Sequence, residues 1–423
     1  MELKNVLAAL GEEDCLEAVS PYWEESEACF PKELPPFLQP ERIKESRKWC
    51  LLAEYDEPKI LETAKRVAED ENLLHLAWHC YRLTFHYPKF LALSGFPSLE
   101  KSLGKDMKGL FYLLVDMELA PFLRDLHKRM GVDEAVTRNN LTQIRDMNWG
   151  YRKSNEGRPG SGLSYWLKHH TNGELFRIGR MQYFIKPSFG FVEAYRNRET
   201  GEVVSVAEDG LTMTDDGFMT FEGEEKTATW ITEHVTDYQA GTTTGNVILP
   251  DKGITLKQKI TLDLNVWRHV LGKGSLMLSM HIPGGGTMAL KKCIESARDA
   301  FVFFEKHFPH RPVVGIDCIS WIFGPQLEDM FEADSNLVEL MRIGYLYPTP
   351  RPRYDSLGFI FYRNDNDFKN YPRNNELQST VLDWVLADKP WHVGGWFVLK
   401  DDIEQIGLDF YRSKFPPKGV KID

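Results

Sequence analysis

The stretch Leu276–Ala289, LMLSMHIPGGGTMA, limits the possible folds more than any other part of the chain. An apolar run stops at His281, Pro283 and three glycines, Gly284, Gly285 and Gly286, and an amphipathic segment starts at once. In ALKKCIESARDAFVFFEKHFP the apolar positions Leu290, Cys293, Ile294, Ala297, Phe301 and Phe304 share one helical face. VVGIDCISW follows as a second buried strand. Strand, glycine loop, helix and strand make a βαβ unit, which chain twist makes right-handed. Glycines at a helix start let backbone N–H groups approach an anion at the positive end of the helix dipole. The loop therefore predicts a seat for a pyrophosphate, with a ligand-free glycine turn as the plain alternative.

The rest of the chain splits by periodicity. KILETAKRVAEDENLLHLAWHCYRL and KGLFYLLVDMELAPFLRDLHKRM carry apolar residues at three- and four-residue spacings and predict helices. NEGRPGSG, Asn155–Gly162, reads as a boundary loop, giving a helical domain over residues 1–153 and a second domain over 163–423. Beyond it LFRIGRMQYFI, EVVSVA, TATWITEHV, GNVILP and LKQKITLDL read as short strands of an antiparallel sheet. PQLEDMF predicts a short helix with Pro325 in its first turn, and LGFIFYR and GWFVLK predict later strands. The fold class is α+β: a helical N-terminal domain, then a mixed, mostly antiparallel sheet with flanking helices.

Charge and cysteine usage narrow the function. The net charge of -11 over 423 residues argues against nucleic acid or an anionic membrane as partner. The six cysteines include no C-x-x-C pair, which suits a reducing, cytoplasmic compartment. The N-terminus lacks the apolar core of a signal peptide, and no apolar run is long enough to predict a membrane span.

Three phosphate-binding readings compete for the loop. A Walker loop needs a lysine that is absent here. A dinucleotide fingerprint is formally present at Gly284, Gly286 and Ala289. Its acidic partner, due about 20 residues on, would fall inside the helix near Glu305, and Asp317 lies mid-strand. The third reading is the acyl-CoA loop [QR]-x-x-G-x-[GA] of the GNAT acyltransferases, whose spacing His281-Ile-Pro-Gly284-Gly-Gly286 reproduces with His in place of Gln or Arg.

LFRIGRMQY, YQAG, MHIPGGG, SARDAFVFFEKHFP, CISWIFGPQL and SNLVEL, in that order, resemble a bacterial family of acyltransferases that pairs an N-terminal helical N-acyltransferase-type domain with a GNAT-like C-terminal domain. The resemblance implies a fold and a reaction class: acyl transfer from acetyl-CoA or another acyl-CoA to an amine on a small molecule or peptide, without a metal. A non-catalytic GNAT-like module that binds acyl-CoA or a peptide is the alternative. The resemblance also implies that strands Leu276–His281 and Val313–Ser320 splay around the pantetheine. A backbone N–H near Met280 to Ile282 would polarise the thioester, and Gly284, Gly285, Gly286 and Thr287 would hold the diphosphate. The helical half would then set acceptor specificity.

Base and acid must come from side chains. His281 is the first candidate for the base, against a plain role as a His bonded to a carbonyl. Ser320 is placed to hold or protonate the thiolate. Cys318 reads as a small buried hydrophobe, or as a nucleophile if it faces the cleft. Tyrosine is the acid in many relatives of this superfamily, but Tyr345 and Tyr347 lie far along the chain from VVGIDCISW. Glu328 and Asp329 read as a solvated face with a base role as the alternative. His75, His79 and Cys80 have helical spacing but too few partners for zinc. Arg177 and Arg180 have opposite strand phase and so face different sides; structural ion pairing is the expected role for both, with one of them lining the cleft as the alternative. The acidic runs EDEN and EGEEK read as solvated turns or helix ends.

Overall fold

The computed structural model describes residues 1–221, 223, 227–352, 354–363, 365, 367–407 and 409–422. Glu222, Glu224, Glu225 and Lys226, the bulk of EGEEK, lie outside them. The chain divides into two compact units, Met1–Ile178 with Pro283–Gly285, and Gly179–Ile282 with Gly286–Asp423.

The first unit is helical: α1 (Leu3–Leu10), α2 (Leu16–Val19), α3 (Trp23–Ala28), α4 (Pro40–Trp49), α5 (Glu57–Glu69), α6 (Glu71–His86), α7 (Glu100–Asp116), α8 (Leu119–Met130), α9 (Glu134–Ser154) and α10 (Trp166–Thr171), followed by the short strand β1 (Phe176–Ile178). The long apolar pattern before residue 84 is two helices. Asp70 of EDEN is extended, and its carboxylate accepts the N–H groups of Asn72 and Leu73 at 3.1 and 3.2 Å, capping α6. The other end of α6 is closed by Lys168, whose buried ammonium donates to the carbonyls of Leu83, Thr84 and Tyr87. His79, the centre of the His/Cys cluster, bonds Ser26 Oγ and the Val19 carbonyl, both at 2.9 Å, and burial lowers its pKa to about 4. It is a core histidine.

The second unit carries β2 (Met181–Pro187), β3 (Val192–Asn197), β4 (Val203–Ala207), β5 (Thr212–Met213), β6 (Trp230–Ile231), β7 (His234–Asp237), β8 (Thr242–Leu249), β9 (Ile254–Asp263), β10 (Trp267–Leu271), β11 (Leu276–His281), α11 (Leu290–His307), β12 (Gly315–Ser320), α12 (Leu327–Met330), α13 (Asn336–Arg342), β13 (Tyr345–Tyr347), α14 (Gly358–Phe361), α15 (Glu376–Leu386) and β14 (Gly394–Leu399). One sheet runs β2-β11-β12-β14-β13, with β11 and β12 parallel and its other neighbours antiparallel. A second sheet runs β10-β3-β4-β8-β7, with β9 paired to β8. The Tyr345 hydroxyl ties the two together: it donates to the Ile248 carbonyl at 2.7 Å and accepts the Ser205 N–H at 3.2 Å.

LGFIFYR is a helix rather than a strand. Leu357, Ile360 and Phe361 are buried at helical spacing against Val381, Leu382 and Val385. A short apolar run of this kind fits either period, and only the partner, α15, selects the helix.

Asp116, at the end of α7, is fully buried. Ser161 Oγ donates to its Oδ2 at 2.6 Å, Oδ1 has no partner among the described residues, and burial raises its pKa to about 7. The unfolded value is near 4. Between these pH values the folded chain holds a proton that the unfolded chain has lost, so this group makes stability fall as pH rises from about 4 to about 7. Asp116→Asn should therefore raise the melting temperature relative to wild type more at pH 8 than at pH 5. An offset independent of pH would show that the carboxyl does not titrate in that window.

Candidate active site

β11 lies between β2 and β12. Its antiparallel register with β2 runs from Leu276↔Pro187 to His281↔Gln182. Its parallel register with β12 pairs Met277 with Gly315, Leu278 with Ile316 and Ser279 with Asp317. β12 in turn pairs with β14 from Gly315↔Leu399 to Ser320↔Gly394. Past Ser279 and Asp317 each inner strand therefore follows its outer neighbour. The pairing of the two inner strands ends there, and a wedge between Met280–His281 and Cys318–Ser320 is the opening this register allows.

Strand periodicity sorts the side chains onto two faces. On one face the register aligns Phe184, Ser279, Asp317, Phe397 and Tyr345 in a single row across the sheet. His281 stacks on Phe184 with ring centres 5.2 Å apart, and its Nε2 lies 3.2 Å from Ser279 Oγ. Lys186 Nζ sits 3.7 Å from Asp317 Oδ2 and 4.0 Å from the centre of the Phe189 ring. Asp317 is only 3% exposed, and its Oδ1 has no hydrogen-bond partner among the described residues. Burial raises its pKa to about 6 against the pull of Lys186.

The opposite face belongs to α11. Tyr183 hydroxyl meets Ser296 Oγ of that helix at 3.0 Å, and Met280 and Cys318 are buried on this side. Burial, and then the charge of Asp317, push the Cys318 thiol far above its ordinary pKa. A neutral thiol without solvent access is not a nucleophile, so the reactive role considered for Cys318 gives way to packing. Ser320 shares this phase, and its Oγ accepts the Ile322 N–H at 3.5 Å, capping the 3₁₀ turn Trp321–Phe323. The hydroxyl expected to hold a thiolate is thus a helix cap.

After His281 the chain passes half-buried Ile282 and buried Pro283 to the exposed Gly284, Gly285, Gly286 and Thr287. Gly285 and Gly286 are left-handed, with φ of 72° and 75°. Arg180, in the turn before β2, donates from Nε to the Thr287 carbonyl at 3.1 Å, and a Cβ on Gly286 would stand 3.5 Å from that nitrogen. α11 starts at Leu290 with no side-chain cap. A guanidinium, a left-handed glycine and an open helix start thus converge, which is the makings of an anion seat. Arg177, of opposite phase, forms its ion pair with Asp146 at 2.6 Å within the helical unit. Arg180 lies in a turn rather than a strand, so its direction is set by that turn and not by strand phase.

Tyr347 is not remote. The sheet order β12-β14-β13 sets it in register with Gly395, itself opposite Ile319. A Cβ on Gly395 would lie 2.2 Å from the Tyr347 ring, so glycine there is what lets the ring lie across the strand. Burial, then Asp317 and Cys318, hold its phenol well above the ordinary pKa. Glu328 is bound to Arg412 and Arg342; burial works to raise its pKa, and the two guanidinium groups outweigh it. Asp317, Lys186 and Phe184 escaped the sequence reading because no local motif contains them. A cavity of about 240 Å³ beside Phe304, Phe308 and Val313 lies at the opposite end of β12.

Residues 175–397 match the model of a GNAT-like C-terminal domain, and residues 44–173 match that of an N-acyltransferase N-terminal domain. No curated protein matches the chain. Among solved structures, an acyltransferase in complex with decanoyl-CoA and teicoplanin is similar over 94% of this chain and 99% of its own, at 21% identity and a TM-score of 0.62. An acyltransferase with CoA and 10C-teicoplanin, and a tryptophan-to-alanine acyltransferase variant with octanoyl-CoA, have the same coverage at 20% identity and TM-scores of 0.63. The likeness is one of fold, over 94% of the chain. Among the described residues no helix is long and apolar enough to cross a membrane.

Burial of Cys318 makes a direct prediction. In the folded protein iodoacetamide should modify exposed Cys29 and leave Cys318 untouched, as read by peptide mass mapping. Cys318→Ala should cost on the order of 1 kcal/mol of stability through lost apolar contact and keep the enzyme's turnover. Loss of turnover in a folded Cys318→Ala protein would restore the nucleophile.

Proposed function

This chain belongs to the acyltransferase family that carries an N-acyltransferase N-terminal domain ahead of a GNAT-like C-terminal domain, and from that premise we propose that the β11–β12 wedge binds an acyl-CoA and passes its acyl group to an amine. One observation carries the reading: the strands part immediately before a left-handed glycine loop that has a guanidinium beside it. In this reading the amides of the pantetheine extend along the parted strand edges and satisfy backbone groups as an added strand would. The diphosphate rests on the N–H groups of Gly286 and Thr287, with Arg180 supplying the cation that His281 does not. The thioester oxygen takes a backbone N–H between Met280 and Ile282, an oxyanion contact worth about 2.7–4 kcal/mol in comparable sites. His281, held against Phe184 and Ser279, shapes the mouth of the wedge.

Of the similar structures, one holds decanoyl-CoA with teicoplanin, a glycopeptide, one holds CoA with 10C-teicoplanin, and one holds octanoyl-CoA. We take an amine on a peptide-like molecule as the acceptor class and decanoyl-CoA as the first donor to try. The six free thiols suit the reducing cytoplasm, where we place the enzyme.

Calorimetry with CoA tests the seat. Gly286→Asn and Gly286→Asp share the backbone cost of a left-handed position, which both residues tolerate. Only the aspartate brings a charge that repels phosphate and occupies Arg180. The aspartate variant should bind CoA at least tenfold more weakly than the asparagine variant in low salt, with the gap narrowing as salt rises. Arg180→Ala should weaken binding by roughly tenfold, the size of a charge-assisted contact. Equal affinities in the two Gly286 variants would put the diphosphate elsewhere. Release of free thiol from decanoyl-CoA when amine is added separates an enzyme from a module that only binds.

A further inference from the structure

We propose that Asp317 is the general base of the transfer, taking the proton of the attacking amine at its unpaired Oδ1. The proposal rests on the wedge being the acyl-CoA site and adds the group that makes the acceptor nucleophilic.

Three observations meet at this residue. First, Asp317 forms the last register pair before β11 and β12 part, so its carboxyl stands where the wedge begins. Second, it is nine-tenths buried and more, yet only half satisfied. Oδ2 has Lys186 Nζ at 3.7 Å, and Oδ1 has no partner among the described residues. A buried carboxylate oxygen without a donor costs free energy in the empty site, and an N–H from a bound amine would relieve it. Third, its row in the sheet is otherwise aromatic or small, with Phe397 and Tyr345 on one side and Ser279 and Phe184 on the other. That surrounding excludes water and raises the carboxyl toward neutrality, the range a base needs at physiological pH. The charged and titratable groups on its side of the sheet are Lys186 on β2, His281 on β11 and Tyr347 on β13, while the Cys318 thiol adjoins it from the opposite face of its own strand. Of these only Lys186 is a fixed cation, and the Phe189 ring shares it.

The step balances without a further reactant. The amine nitrogen bonds to the thioester carbonyl carbon as the carbon–sulfur bond breaks. The nitrogen's proton goes to Oδ1, and the CoA sulfur leaves with the electron pair. Asp317 then returns the proton to the thiolate through solvent, giving amide and free thiol.

The test compares wild type, Asp317→Asn and His281→Asn with decanoyl-CoA as donor and either teicoplanin or hydroxylamine as acceptor. Hydroxylamine is already unprotonated at neutral pH, so it has little need of a base. Binding of decanoyl-CoA, read by calorimetry, should be within about twofold in wild type and Asp317→Asn. With teicoplanin, Asp317→Asn should lose kcat by roughly 100- to 10,000-fold, the contribution of a positioned base. With hydroxylamine it should stay within about tenfold of wild type. The limb of kcat that rises with pH near 6 should be present in wild type and in His281→Asn and absent in Asp317→Asn. Retained teicoplanin turnover in Asp317→Asn, or loss of the limb in His281→Asn alone, would overturn the proposal. So would an equal loss with hydroxylamine, which marks a structural role, or a wild type that binds decanoyl-CoA and releases no thiol with either acceptor. A wild type that binds no decanoyl-CoA defeats the wedge reading itself.

Discussion

Two parallel strands that are each held further along by an outer neighbour than by one another are free to come apart, and the acyl-CoA reading of this protein depends on that constraint. β2 holds β11 as far as His281, β14 holds β12 as far as Ser320, and the inner pair stops at Ser279 and Asp317. The wedge is therefore a product of the outer ladders and needs no strain in the strands that line it. β14 keeps its hold at the open end because it is Gly394–Gly395 there. Side chains at those positions would meet the Phe323 carbonyl and the Tyr347 ring at 2.0 and 2.2 Å. Overpacking of that kind costs about 1–3 kcal/mol in a well-packed core, and here the relief would come from β14 drawing away from β12, the movement that removes one wall of the wedge.

Burial alone does not mark a carboxyl as functional, and this chain contains the comparison that shows it. Asp116 and Asp317 are both buried, both half satisfied and both raised in pKa by desolvation. Asp116 closes a helix inside an all-helical core and takes a hydroxyl donor, Ser161. Asp317 has a lysine on one oxygen and stands on the last rung of a ladder that opens. The difference lies in topology. One group is enclosed by contacts that do not change, the other borders a gap that the fold maintains. A half-satisfied carboxyl lowers stability in either place, and at Asp317 that loss fits the common pattern of sites that trade stability for reactivity.

Much of this was legible in the sequence, and what was missed has a common cause. The βαβ order, the amphipathic face of α11 and the glycine loop follow from periods and turn chemistry within one short stretch, so local rules found them. The helical character of the first 150 residues was legible for the same reason. LGFIFYR was misread because four to seven apolar residues fit either period until a partner, here α15, selects one. Asp317 was seen only as mid-strand, since what singles it out is its cross-strand register with Ser279 and the approach of Lys186 from β2. Tyr347 was set aside for its distance in sequence. The order β12-β14-β13 brings it back beside Asp317 after an excursion through α12 and α13.

The anion seat shows the same logic applied to charge. Read locally, His281 in place of Gln or Arg leaves the loop with backbone donors alone. The missing cation enters instead from Arg180, a hundred residues earlier, because β2 runs antiparallel to β11 and its starting turn therefore lies beside the end of β11. The pairing His281↔Gln182 favours that outcome: once those two residues are opposite, Arg180 stands beside the loop after His281. Arg177, three residues earlier and on the other phase, is committed to Asp146. A motif scored along the chain counts the residues between its own ends, whereas a phosphate meets whatever the sheet has placed there. In an antiparallel pair that always includes the turn preceding the partner strand, so the charge belonging to this loop is written in LFRIGRMQY rather than in MHIPGGG.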